Sequence, residues 1–210
     1  MTIELHCFGE SGNAYKAALA MELAGLDWRP VFVDFFNGET RTEAWRDEVN
    51  GMGEVPVMVD GDLRLTQSGV IQDYVAERSG RFRGAPGEWR EVLRWMFWDN
   101  HKLSSQAGMT RFLMNFLPEE KRPAEVIDFM QGRLRSTYQV LDTHLEGRDV
   151  IVGRDVTLAD LSCCGYLFYE EPFGFDRAEW PAIDRWLGNI QSLDGWKHPY
   201  DLMPRSREGT

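Results

Sequence analysis

The chain has 210 residues, of which 43% are hydrophobic and 27% charged, with a formal net charge of −11. That length allows one large domain or two small ones, and the composition is that of an ordinary globular protein. The acidic balance argues against a nucleic-acid partner, because phosphate binding needs a basic surface. No apolar run approaches the ~20 residues of a membrane span. The opening residues lack the basic start and apolar stretch of a signal peptide. Cys7, Cys163 and Cys164 form no disulfide framework, no Cys and His spacing suits a metal, and a reduced, cytoplasmic setting is expected.

In chain order, "IELHCF" (3–8) reads as a short strand, followed by the turn-rich "GESGN". "AYKAALAMELAG" (14–25) follows as a helix, with Ala14, Ala17, Ala18 and Met21 on one face and Gly25 as its C-cap. "WRPVFVDF" (28–35) reads as a second strand and "ETRTEAWRDEV" (39–49) as a short polar helix. "VPVMVD" and "LRLT" flank "GD" as a hairpin. "GVIQDYVAER" then places Val70, Ile71, Tyr74 and Val75 on one helical face. The expected order is β-α-β-α-β-β-α over residues 1–78.

After the Gly/Pro/Arg-rich stretch 79–87, read as a linker, strand signals fade. Helical patterns cover 88–116 and 119–146, the latter with Ile127, Met130, Leu134, Leu141 and Leu145. Two more cover 157–171 and 181–193. The expected fold class is therefore an α/β domain at 1–78 followed by an all-helical domain at 88–210.

Two features of "GEVPVMVDGDLRLTQSGVIQDYV" (53–75) stand out. Pro56 opens a strand in which its missing N–H is a handicap. The polar pair Gln67-Ser68 then opens a helix well supplied with apolar residues.

This order of elements, with Pro56 opening the third strand and Gln67-Ser68 the third helix, resembles the glutathione S-transferase family over nearly the whole chain. "VTLADLSCCGYL" is similar to the capping-box motif of the family's second domain, and "WPAIDRWL" to its closing helix. The resemblance implies a thioredoxin-like first domain and a helical second one. It implies a cis Val55–Pro56 peptide that turns the Val55 backbone N–H and C=O toward an extended ligand. Gln67 and Ser68, at a helix start with open N–H groups, would take the γ-glutamyl carboxylate of glutathione. The alternative is that Thr66 or Ser68 only caps the helix.

The resemblance also places the reactive end at "FGESGNAYK". Ser11 matches the serine or cysteine of the family's non-tyrosine branches, and Phe8 falls near the tyrosine of the others. A free thiol of pKa about 8.5 is only partly ionised near neutral pH, and a hydroxyl or amide donor at a helix N-terminus favours the thiolate. Ser11 and Asn13 are the catalytic candidates, in the serine/asparagine manner of bacterial members, with plain helix capping as the alternative. Among the cations Arg41, Arg46 and Lys16, Arg41 is chosen for the glycyl carboxylate. Glu54, an acid just before Val55-Pro56, departs from the family's usual Lys or Gln. Gly51 stands where a proline is usual, which is expected to loosen that loop.

Cys7, Cys163 and Cys164 read as buried small residues. Trp95, Trp98, Arg111 and Phe112 are candidates for the second substrate's pocket, expected between the domains, with core packing as the alternative for the tryptophans. Thr157 and Asp160 form a capping box with a folding role. The implied protein is a cytoplasmic, homodimeric, metal-free glutathione transferase acting on an electrophilic small molecule in detoxification. Glutathione-dependent disulfide reduction and a non-catalytic scaffold remain as alternatives.

Overall fold

The computed structural model describes residues 2–206. Met1 and residues 207–210, which the sequence reading assigns to the ends of the two domains, lie outside the described residues. The contacts divide the chain into two compact units. One runs to Arg81 and takes in the chain again from Asp194, and the other is Phe82–Leu193.

In the first unit, β1 (Ile3–Cys7) buries Ile3, Leu5 and Cys7 in strict alternation, the period of a strand with one core face. It leads into α1 (Gly12–Ala24) and returns as β2 (Trp28–Phe32), parallel to β1. Pro30 is tolerated because β2 is an edge strand in the order β2-β1-β3-β4. The second strand ends at Phe32 rather than 35. The polar segment that follows is a 3-10 turn (Glu39–Arg41) and then α2 (Glu43–Glu48). β3 (Val57–Asp60) pairs antiparallel with β1, and β4 (Leu63–Thr66) antiparallel with β3. α3 (Ser68–Ser79) closes the expected series.

The sequence shows a single apolar face on α1. Almost all of the helix is nonetheless buried, because α3 and the last helix, α9 (Pro199–Leu202), also pack on it. Its alanines make that close packing possible. α1 stops at Gly25, whose φ of 69° lets its N–H reach the carbonyls of Glu22 and Met21. On α3, Ile71 and Val75 are core, Tyr74 is half-buried, and Val70 is exposed.

The helical unit begins with α4 (Trp89–Trp98), which passes through a π-helical turn (Asp99–Ser104) into α5 (Ser105–Asn115). The expected unbroken pattern over 88–116 thus carries one wide turn. Asp99 is fully buried there and accepts hydrogen bonds from the Ser104 and Ser162 hydroxyls at 2.7 and 2.6 Å. α6 (Ala124–Leu145) buries Leu134, Leu141 and Leu145, with Ile127 and Met130 half-covered. Asp142 on α6 accepts from the Ala182 and Ile183 N–H groups, both at 2.9 Å, and so caps α8 (Pro181–Gln191) from another element.

Two expectations need correcting. The helix expected over 157–171 is regular only as α7 (Leu158–Cys163). Every residue from Thr157 to Tyr169 is buried, so no polar face exists to mark a helical period. The second domain was expected to run to the C-terminus. The chain from Asp194 instead groups with the first unit, because α9 packs on α1. The boundary between Arg81 and Phe82 falls inside the expected linker.

Candidate functional site

Three loop segments of the first unit hold polar groups that the fold leaves unused. The first is the turn between β1 and α1. Ser11 is the N-cap of α1, and its Oγ accepts from the Ala14 N–H at 3.2 Å. A hydroxyl that accepts through a lone pair still has its proton to donate, so capping and donation to a thiolate are compatible roles rather than rivals. The N–H groups of Gly12 and Asn13 make no hydrogen bond among the described residues. The Asn13 Oδ1 is buried without a partner, leaving Nδ2 as the exposed end of the amide. The turn therefore offers a hydroxyl, an amide nitrogen and a helix N-terminus together.

The second segment is the Val55–Pro56 peptide, which is cis as expected. Val55 packs its side chain on Val33, Trp45 and Val57, while its backbone N–H and C=O make no hydrogen bond among the described residues. The loop before it is not loose, despite Gly51. The Asn50 side chain bonds the Glu54 carbonyl at 2.9 Å and the Met52 N–H at 3.0 Å, and Arg46 reaches the Gly51 carbonyl at 3.2 Å. At Gly53, with φ of 70°, a Cβ would lie 2.9 Å from the Thr40 carbonyl and 2.8 Å from Arg46, so only glycine fits this packing.

The third segment is the start of α3. Gln67, at φ 67° and ψ 119°, is one of two non-glycine residues with positive φ among the described residues. That sparsely populated region costs roughly 1–3 kcal/mol and often marks a functional site. Neither Thr66 nor Ser68 caps the helix through its side chain, which sets the capping alternative aside. The Gln67 carbonyl takes the N–H groups of Val70 and Ile71, so the Ser68 and Gly69 N–H groups stay open. Ser68 is buried to 7% exposure, yet its hydroxyl bonds nothing among the described residues. The Gln67 Nε2 donates to Glu54 Oε2 at 3.0 Å. That contact sets the acid of Glu54 beside the α3 start.

The remaining candidates divide. Arg41 is exposed and makes no ion pair among the described residues. Lys16 is 1% exposed, so it is not an available cation. In the helical unit, Trp95 is core, edge-on to Trp98 at 5.0 Å and 4.3 Å from the His144 ring. Arg111 is also interior, ion-paired with Glu171 at 2.8 Å and stacked 3.8 Å from the Tyr169 ring centre. Trp98 and Phe112 are partly exposed. All three cysteines are buried, and burial pushes the Cys7 thiol up to about 12. No group of three or more His, Cys, Asp or Glu side chains suits a metal ion among the described residues. No described helix is long and apolar enough to cross a membrane.

Some of this was not readable in the sequence. The positive φ of Gln67 has no signal there, since a glycine or asparagine would be the usual mark. The Glu54–Gln67 contact spans 13 residues and needs the hairpin to form.

A mixed four-stranded sheet with an open helix start, followed by a helical unit, defines the class of thioredoxin-like domains with an all-helical extension. Comparison with known families narrows it. The N-terminal domain of the glutathione S-transferases matches residues 1–77, and the C-terminal domain of the same family matches residues 105–194. The chain belongs to the glutathione S-transferase family. The disulfide-bond oxidoreductase YfcG of Escherichia coli is 29% identical over 194 residues, covering 88% of each chain. Glutathione S-transferase F14 of Arabidopsis thaliana is 25% identical, covering 98% of this chain and 88% of its own. The crystal structure of a glutathione S-transferase from Pseudomonas fluorescens superposes with a TM-score of 0.86 at 27% identity, covering 95% of this chain and 99% of its own.

Proposed function

We propose that this protein binds glutathione in its first unit and directs the thiolate at an electrophilic small molecule. The observation that carries the reading is the set of unspent groups on the Val55 backbone and at the α3 start. The Val55 N–H and C=O pair with the cysteinyl residue of glutathione, as one more strand would. Ser68, with the Gly69 N–H, holds the γ-glutamyl carboxylate at the positive end of α3. An α-amino acid brings an ammonium beside that carboxylate, and Glu54, held by Gln67, is placed to take it. The acid that looked misplaced for a glycyl carboxylate thus suits the other end of the tripeptide. Arg41 is the cation proposed for the glycyl end.

At the β1–α1 turn the Ser11 hydroxyl and the Asn13 amide donate to the sulfur, and the N-terminus of α1 favours its charge. The thiolate attacks an electrophilic carbon, a C–S bond forms, and the leaving group departs with the electron pair. Trp98 and Phe112 are kept as the acceptor candidates with exposed surface; Trp95 and Arg111 act through packing. A cytoplasmic, homodimeric detoxification enzyme is the setting proposed. Exposed Phe97, Met109, Val126, Phe129 and Val140 on the helical unit support self-association.

Disulfide reduction is the second reading, supported by the name of the Escherichia coli relative. One glutathione thiolate would attack a disulfide and release a thiolate. A second glutathione would resolve the mixed disulfide to glutathione disulfide. The buried cysteines of this chain take no part. A non-catalytic scaffold is the third reading.

A crystal soaked with glutathione tests the proposal. The expected result is the cysteinyl backbone paired with Val55 and the γ-glutamyl carboxylate at Ser68. Glutathione bound elsewhere, or not at all, overturns it.

A further inference from the structure

We propose that the C-terminal tail is a strap that fixes the β1–α1 turn, with Glu10 as its anchor and as a positioning residue for Ser11. The inference rests on the glutathione reading for its chemical consequence, but not for its structural content.

The tail is held at its base by α1. The Tyr15 hydroxyl donates to the Lys197 carbonyl at 2.9 Å, and the Lys197 ammonium pairs with Glu22 at 2.7 Å. α9 then lies on α1 and delivers residues 203–206 to the turn. There the Gly9 N–H donates to the Pro204 carbonyl at 2.7 Å. The Ser206 N–H is shared between the two carboxylate oxygens of Glu10, each at 3.2 Å. Glu10 is buried to 8% exposure, unusual for an acid in a turn.

The approach is close because residue 9 has no side chain. A Cβ there would lie 3.1 Å from Tyr200 Cδ1, 3.2 Å from Arg205 Cγ and 3.3 Å from Arg205 Cα. Arg205 also stacks its guanidinium 3.9 Å from the Tyr200 ring centre, stiffening the strap just before Ser206.

Gly9 and Glu10 are the two residues between Phe8 and Ser11. Tying both to the tail sets the path by which the chain enters the N-cap, and so the direction of the Ser11 hydroxyl. Loss of the strap therefore leaves the donor less well placed, and the thiol of bound glutathione becomes harder to ionise.

The experiment compares the wild-type chain with a chain ending at Met203 and with Gly9→Ala, Glu10→Ala and Glu10→Gln. Amide hydrogen exchange over residues 9–13 is read without any ligand. Exchange is expected to quicken by about tenfold in the shortened chain and in Glu10→Ala, as a loop loses protection when its bonds go. Gly9→Ala is expected to quicken it less, and Glu10→Gln, which keeps the acceptor oxygen, to stay near wild type. Unchanged exchange at the turn in the shortened chain, with the rest of the protein still protected, overturns the strap.

The thiol pKa of bound glutathione is the second readout. It is expected to rise by about half a unit or more in the shortened chain, while the dissociation constant moves less than about threefold. Exchange that quickens with no change in that pKa overturns the positioning role. Failure of the wild-type protein to bind glutathione would sink the functional reading instead, and hydrogen exchange would still decide the strap.

Discussion

The carboxylates buried in the helical unit are spent on the fold, whereas polar groups on the loops of the first unit are left open. In the helical unit, Asp160 accepts from the Thr157 N–H and hydroxyl, the Ile151 N–H and the Trp186 indole, at 2.8–3.1 Å. Burial pushes its carboxyl above the usual carboxylate range, and those four donors offset only part of that rise. Asp142 and Asp99 are each satisfied twice within the same unit. In the first unit, the Val55 backbone, the Ser68 hydroxyl, the open N–H groups of α1 and α3 and the Asn13 Oδ1 have no partner among the described residues. Native proteins pair most buried polar groups, so the saturated carboxylates mark what holds the helical unit together. Single unpaired atoms also occur elsewhere among the described residues, as at Gln106 Oε1 and Tyr138 Oη in the helical unit, and it is the clustering of open groups on three loops of the first unit that points to a ligand.

The largest expected effect is on the saturated side. Asp160→Ala leaves donors from three segments unpaired and should cost about 3 kcal/mol or more of stability in denaturant unfolding. A loss no larger than that of Thr157→Ala, about 0.5–2 kcal/mol for a cap, would reduce Asp160 to a capping residue. Neither variant should change glutathione affinity, because both lie in the helical unit.

Ser68→Ala should show the reverse pattern. Calorimetry is expected to find glutathione binding weaker by roughly 1.5–3 kcal/mol, the value of a hydrogen bond to a charged group. The unfolding midpoint should hold, since the hydroxyl bonds nothing in the fold. A protein that loses stability but keeps affinity would erase the contrast between the units.

The smallest effect is expected at the cysteines. With Cys7 at a pKa of about 12 and all three thiols buried, a thiol reagent at pH 8 should label none of them until the protein is unfolded. Rapid labelling of one thiol in the native protein would reopen a route through an enzyme cysteine.

What could be read from sequence follows the same division. The β-α-β-α-β-β-α order was legible because each element carries its own period and its own punctuation, Gly25 after α1 and Gly61-Asp62 between β3 and β4. The helix starts at Ser11 and Ser68 and the proline before β3 were legible as local signals, whereas the binding roles proposed for Ser11, Asn13, Gln67 and Ser68 come from the family resemblance. The extent of α7 was not, because a segment buried on all sides has no polar face. Nor was the return of the tail, where Pro204 and Ser206 meet Gly9 and Glu10 across almost the whole chain length. The contact of Glu54 with Gln67 was not legible for the same reason: the two are brought together only by the folded hairpin.

The most direct measurement is the pKa of the glutathione thiol when bound, read from thiolate absorbance across a pH titration. One pKa unit corresponds to about 1.4 kcal/mol of preference for the charged form, and a donor with a helix terminus can supply about one to two units. The bound thiol is therefore predicted to titrate below the free thiol. Ser11→Ala should raise its pKa toward the free value, and Asn13→Ala should do the same if the amide is the stronger donor. A bound thiol that titrates like free glutathione in the wild-type protein and in both variants would contradict activation at this turn and leave a glutathione-binding scaffold.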